Sequence, residues 1–472
     1  MPESWATFGV DLHLDTDPGA GRRAGLERAL RDAIRSGRLA PHTRLPSTRA
    51  LAADLGLSRG TVTAAFDQLV AEGYLAAVRG SGTTVSEMAR RSGGPASGAG
   101  ARGAAAPAGP EPRHNLMPGL PDVSRFPVAE WSRASRRALE GARAAIFTYG
   151  HPAGCSELRT ELADYLGRAR GVLAAPGQIV ITSGYVQALA LITRVLRARG
   201  AAAMAMEDPN HGFHRDVVRR GGLDVLPLPV DERGAGADVL ARARGDGVGA
   251  VVVTPAHQYP TGATLHPARR HELAAWAQAT GGLIIEDDYD GEFRYDRQPV
   301  GAMQGMAPGH VVYVGSASKA LAPGLRLGWM VLPDHLVGPV TEEKEHDDFH
   351  TGVLGQIAFA EFIAGHGYDK HIRAARLRYR RRRDLLISRL GAVRGIAAGL
   401  HVLIELPAGG PGEQDVLAAA EQHGVALETL GPHWHRPGRH PQGLLVGFAA
   451  ATERAYPVAV EALVRVLRAT RR

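Results

Sequence analysis

Between Glu87 and Pro112 the chain passes through SGGPASGAGARGAAAPAGPEP, with no periodic large apolar residue. A run of Gly, Ala, Pro and Ser cannot bury enough apolar surface to offset the entropy of ordering it, so it reads as a flexible tether. This constrains the fold more than any other stretch, because it rules out one continuous core. The 472-residue chain is expected to build a small domain over residues 11–86, a tether over 87–112 and a large domain over 113–472. The tether lets the two domains take different relative positions, including against a partner subunit.

The hydrophobic fraction of 44% and charged fraction of 22% are those of a soluble globular protein. One cysteine, Cys155, excludes an internal disulfide framework and fits a reducing compartment. The start MPESWATFGVDLHLD has no basic stretch followed by an apolar run, so no signal peptide is expected. No apolar stretch is long enough to span a bilayer. A cytoplasmic location is expected. The net charge of +7 leans toward a polyanionic partner, although Arg-rich composition also follows genome base composition.

In the small domain, Leu26, Leu30, Ala33 and Ile34 fall on one face of a helix over Arg22–Ser36. Ser47 is placed to cap a second helix, Gly56 to end it in the left-handed conformation, and Ser58 to cap a third. Val62, Phe66 and Leu69 then point inward, which leaves Arg59, Thr61 and Thr63 facing out at the N-terminal end. Two short helices joined by a tight turn form a helix-turn-helix, whose second helix enters the major groove. Tyr74–Val85 reads as a hairpin turning at Arg79-Gly80-Ser81-Gly82, a wing. The string LPSTRALAADLGLSRGTVTAAFDQLVAEGYL with RGSGTTV resembles the winged helix-turn-helix of GntR-type transcription regulators. That resemblance implies that Arg44, Ser47, Arg49, Ser58, Arg59, Thr61 and Thr63 face DNA, with Gly80 and Gly82 in the wing.

The large domain alternates apolar runs with helical patterns, which predicts an α/β fold around a largely parallel sheet. Its strand ends carry the chemistry. Val311–Val314 empties into the small-residue turn SASKALAPGLRLGW, where Lys319 is poorly solvated and its pKa should fall. Ser316, Ser318 and Arg326 beside it form a phosphate-binding set. An imine-forming amine next to a phosphate site points to pyridoxal 5′-phosphate (PLP). LIIEDDYD offers Asp287 for the pyridinium nitrogen and Tyr289 for the phenolic oxygen. Ser183 and the helix start at Gly184 and Tyr185 offer a further anion site. His211, in EDPNHGF, is the candidate for the ring face.

The motifs YGHPAGCSELR, ITSG, EDPNHGF, TPAHQYPTG, EDDYDGEFRY and SASKALAPGLRLGW together resemble a fold-type I aminotransferase domain. The whole arrangement resembles MocR/GabR-type regulators. The resemblance implies a head-to-tail homodimer in which Tyr149 reaches the PLP phosphate of the neighbouring subunit. Two departures stand out. His211 replaces the usual aromatic over the ring. Leu445, in GLLVGFA, stands where aminotransferases carry the arginine that grips a substrate carboxylate, with Arg215 and Arg436 as candidate substitutes.

A PLP-dependent DNA-binding regulator that senses PLP or an amino compound is therefore expected, with any aminotransferase activity vestigial. The rival reading is a working aminotransferase with an appended DNA-binding module. The missing arginine favours PLP itself as the sensed molecule, and next an amine without a carboxylate. His433, His435 and His440 cluster near Trp434 without interleaved acids, so no metal site is expected. The basic run Arg376–Arg383 is expected on the solvated face of a long helix. Cys155 is expected to pack without reacting.

Overall fold

The computed structural model describes residues 21–78, 82–87, 112–243, 245–296, 300–391, 393 and 395–470. The chain divides into two compact units, 1–109 and 110–472. The expected tether lies outside the described residues except at its two ends.

The small unit packs three helices, α1 (Arg22–Arg35), α2 (Thr48–Asp54) and α3 (Arg59–Ala71). The Ser47 hydroxyl accepts from Ala50 N at 3.2 Å, and the Ser58 hydroxyl from Thr61 N at 3.1 Å. Each such cap is worth about 1 kcal/mol. Gly56, at φ 61°, follows α2 in the left-handed conformation that favours glycine. Leu26, Leu30, Leu51, Val62, Phe66 and Leu69 form the core. Arg31 ties α1 to the end of α3 through a forked contact with Glu72. The wing is β1 (Leu75–Val78) antiparallel to β2 (Gly82–Val85), in register from Leu75↔Val85 to Val78↔Gly82. The tip, with Gly80, lies outside the described residues.

In the large unit an eight-stranded sheet comprises β3 (Ile179–Thr182), β4 (Ala203–Asp208), β5 (Asp224–Asp231), β6 (Gly234–Ala235), β7 (Val248–Val253), β8 (Leu283–Asp287), β9 (Val311–Ser316) and β10 (Gly328–Val331). Their order is β3-β10-β9-β8-β7-β4-β5-β6. The neighbours β9, β8, β7, β4 and β5 run parallel, as the apolar runs predict. β10 runs antiparallel to both β9 and β3, because it returns directly from the turn that carries Lys319. Apolar clusters cover both faces, with Leu189, Ile192 and Met204 in one and Leu228, Val251 and Leu273 in another. Each such side chain contributes about 1.5–3 kcal/mol on burial.

A smaller antiparallel sheet follows: β11 (His401–Glu405), β12 (Glu428–Thr429) and β13 (Gly443–Gly447), in the order β11-β13-β12. Its register sets Glu428 opposite Leu445. His114–Asn115 pairs in parallel with Val425–Ala426, which carries the following residues, Met117–Leu120, to the large sheet.

The basic run departs from expectation. On the helix Gly367–Leu390, Arg378 and Arg382 are buried. Arg382 donates to the carbonyls of Ala449 and Ala451 at 2.9 and 2.7 Å and to Asp122 at 2.7 Å. Residues four apart share a helix face, so a continuous charged run must turn some members inward, and their guanidinium groups reach polar partners there. Among the described residues no helix is long and apolar enough to cross a membrane.

Candidate functional site

The carboxyl ends of β4, β7, β8 and β9 open into a cavity of about 450 Å³. Lys319 lines it from the turn after β9. Burial pulls its amine below the usual lysine pKa, while Asp287 works in the opposite direction. Gly119 brings the chain so close that a Cβ there would stand 3.4 Å from Lys319 Nζ.

Asp287 ends β8 and lines the same cavity. Burial, then the nearby acids Asp288, Asp290 and Glu207, push its carboxyl well above the usual range, with Lys319 opposing. Strand alternation turns Asp288 the other way, where Arg170 holds it with bonds of 2.7 and 2.9 Å. Asp287 thus faces the cavity, with Lys319 as a nearby cation, and a protonated ring nitrogen there would add a second. Tyr289 also lines the cavity, with its hydroxyl 3.0 Å from His257 Nδ1, itself 2.9 Å from Asp290.

Ser316, Ser318 and Arg326 line the cavity together. Gly184, at φ 119°, precedes the helix Tyr185–Ala198. A side chain there would be strained, and its Cβ would stand 3.2 Å from Arg326 Nη2. A guanidinium at a helix N-terminus is a suitable phosphate cradle. The residues present therefore fit PLP: a destabilised amine, a buried carboxylate facing the cavity, and this cradle.

Tyr185 and His211 line the cavity as well. Burial holds the His211 ring below the usual histidine pKa, and that ring stacks on His214 at 4.7 Å. Ser183 is not among the lining residues; its amide and hydroxyl both donate to Gln187 Oε1, at 2.8 and 3.2 Å. Tyr149 lies outside the cavity, 84% exposed, with its ring 5.5 Å from Phe349.

Among the titratable lining residues, sequence reasoning missed four: Glu207, His214, Tyr259 and Glu428. Glu207 accepts from Thr254 and Gln258, and burial lifts its carboxyl to about 7. Burial also lowers His214 to about 3. His214 stands one helical step from His211, which was the available signal. Leu445 is fully buried, packed with Leu403 and Leu430. Arg215 does not replace the missing arginine: its guanidinium is spent on Asn210 and on the carbonyls of His433 and Trp434. Arg436 is exposed and outside the cavity. The clustered histidines face separate partners, His435 the Glu207 carbonyl at 2.8 Å and His440 the Arg436 carbonyl at 2.9 Å. Burial raises the Cys155 thiol to about 11.

In the small unit Arg44, Ser47, Arg49, Ser58 and Arg59 are exposed, and Thr61 and Thr63 are half-buried at the start of α3. The Ser47 and Ser58 hydroxyls serve as helix caps. Arg44 lies along the wing strand β2, with Nε 3.2 Å from where a Cβ on Gly82 would stand. The site combines exposed cations at a recognition-type helix with hydroxyls and a wing, a set suited to phosphate and base-edge contacts.

Residues 115–406 match the family described as aminotransferase class I and II, and residues 23–85 the family described as bacterial regulatory proteins, gntR family. The chain is similar to the HTH-type pyridoxine biosynthesis transcriptional regulator PdxR of Corynebacterium glutamicum, at 31% identity over 91% of this chain and 92% of that one. It is similar to the probable rhizopine catabolism regulatory protein MocR of Rhizobium meliloti, at 33% identity over 80% and 78%. Among solved structures, Pyrococcus horikoshii kynurenine aminotransferase, in complex with PMP, matches with a TM-score of 0.68 at 26% identity, covering 76% of this chain and 92% of that one.

Proposed function

We propose that this chain, which belongs to the MocR-type family of GntR helix-turn-helix transcription regulators carrying an aminotransferase class I and II domain, uses its large unit to sense PLP or an amino compound and so changes operator binding by its small unit. The observation that carries this reading is the convergence of Lys319, Asp287, Tyr289 and Arg326 on one cavity in a chain that also carries a winged helix-turn-helix. PLP would supply an aldehyde for a lysine amine and an electron-withdrawing ring.

In this proposal Lys319 bonds the cofactor and Asp287 faces its ring nitrogen. Tyr289 faces the phenolic oxygen, and His211 the ring. Arg326, Ser316, Ser318 and the backbone at Gly184 and Tyr185 hold the phosphate, with Ser183 behind them at the loop. Tyr149, exposed on its own subunit, is assigned to the phosphate of the partner in a head-to-tail homodimer. Arg44, Ser47, Arg49, Ser58, Arg59, Thr61 and Thr63 face DNA, with Gly80 and Gly82 in the wing. The small domain is assigned 11–86, the tether 87–112 and the effector domain 113–472, in a cytoplasmic protein.

Aminotransferase activity is proposed to be vestigial, because Leu445 is buried and Arg215 is occupied. The test pairs two measurements: operator affinity of cofactor-free and PLP-loaded protein, and multiple-turnover assays with amino and keto acids. An affinity that changes with PLP or with an added amine supports the regulator. Sustained turnover at about 1 s⁻¹ or more overturns the regulator-only reading.

A further inference from the structure

The identity of the sensed compound can be narrowed from the charges around the cavity. Glu428 lines it beside Tyr259 and His211. Its Oε2 accepts from the Tyr259 hydroxyl at 3.0 Å. Its Oε1 stands 3.7 Å from His433 Nε2. In the antiparallel pair β12–β13 it stands directly opposite Leu445. An acid therefore occupies the neighbourhood where a carboxylate-gripping arginine is expected. Burial works against its charge, but the His433 and Tyr259 contacts outweigh this and hold the carboxyl below the usual range.

The other lining groups do not compensate a ligand carboxylate. Arg326 stands beside Gly184 and is the phosphate cation of the reading above. Lys319 is the cofactor amine of the reading above. The His211 and His214 rings are held neutral by burial. A carboxylate placed beside Glu428 would meet a like charge in a partly desolvated site, which is costly. An ammonium there would make a charge-assisted hydrogen bond with Oε1 and could lie against the Tyr259 ring.

We propose that the amino compound sensed in this cavity is a carboxylate-free amine with a second cationic group, in the simplest case a diamine, with one end toward Lys319 and the other on Glu428. This rests on the PLP-loaded regulator proposed above.

The test uses full-length PLP-loaded protein. Loading is scored by visible absorbance and by borohydride fixation at Lys319. Calorimetry then measures binding of 1,4-diaminobutane, 4-aminobutanoate and 1-aminobutane. The diamine binds at least about tenfold more tightly than either competitor, as expected for a hydrogen bond to a charged group. Glu428→Gln abolishes that advantage, so that within the variant the diamine binds no more tightly than 1-aminobutane. Glu428→Asp, which keeps the charge, keeps the preference for the diamine over 4-aminobutanoate. Equal or tighter binding of 4-aminobutanoate, or an advantage that survives Glu428→Gln, overturns the inference. A chain that loads PLP but ignores the diamine overturns this inference alone; a chain that takes no PLP at Lys319 overturns the proposed function with it.

Discussion

Replacing Arg170 by methionine tests the support behind Asp287. The guanidinium is 1% exposed and its partner carboxylate, on Asp288, 2%. Three hydrogen bonds are lost: two to Asp288, at 2.7 and 2.9 Å, and one to the Gly291 carbonyl at 3.0 Å. Among the described residues, the Asp288 carboxylate would keep the Tyr313 hydroxyl, at 2.7 Å. Glu292, which burial already lifts to about 7, would lose the opposing pull of the Arg170 charge. Breaking a buried pair on one side leaves an uncompensated charge, so Arg170→Met should destabilise the large unit by about 3–5 kcal/mol. Asp288→Asn removes that charge while keeping an acceptor for Tyr313. The double variant should therefore recover at least about 1.5 kcal/mol relative to additivity. Urea unfolding followed by tryptophan fluorescence is a suitable assay, because Trp131, Trp276, Trp329 and Trp434 all lie in the large unit. A loss below about 1 kcal/mol, the scale of exposed pairs, or a double variant no better than the sum of the singles, would refute the reasoning.

Lys319→Ala should abolish the visible absorbance of the lysine-bound cofactor while leaving operator binding by the small unit measurable; a borohydride-fixed adduct at another defined residue would show the lysine is wrongly assigned. Arg59→Ala should cost about 1–3 kcal/mol of operator affinity if it makes a bidentate base contact, and binding by the wild type should fall steeply with salt. The Glu207 carboxyl is raised from 4.5 to about 7 in the folded chain, so its native form favours the proton. Its contribution to stability is full below pH 4.5 and is lost as pH rises through 7, by about 3 kcal/mol. Unfolding of Glu207→Gln measured across this window should lack that slope, and identical slopes in both proteins would count against the assignment. Ser58→Ala should cost the small unit about 0.5–2 kcal/mol in thermal unfolding, the value of a helix cap.

What could be read before folding was what adjacent residues decide. Ser58 and Gly56 mark helix ends through their own backbone and hydroxyl chemistry, and the hairpin follows from alternation around a Gly-rich turn. Lys319 and Asp287 were visible because each ends a continuous apolar run, and such runs deliver their last polar residue to one edge of a sheet. Glu428 was invisible for the opposite reason. It ends no long run, and its importance comes from a partner in register, Leu445, and from Tyr259 far away in the chain. Arg378 and Arg382 look like solvated charges in a string of arginines, and only the carbonyls and carboxylate that receive Arg382 reveal otherwise. Arg215 carries the same lesson: a plausible cation by type is unavailable once its donors are counted.

The pairing of His114–Asn115 with Val425–Ala426 has a consequence for how the molecule comes into being. The first strand of the large unit waits for a partner about 300 residues downstream, which at ordinary synthesis rates takes roughly 15–60 s to leave the ribosome. Asp122 waits nearly as long for Arg382. Among the described residues, by contrast, the backbone hydrogen bonds of α1, α2, α3 and the wing close within residues 21–87. The small unit can therefore close its fold while the large unit is still a partial chain, so the two are built one after the other rather than together.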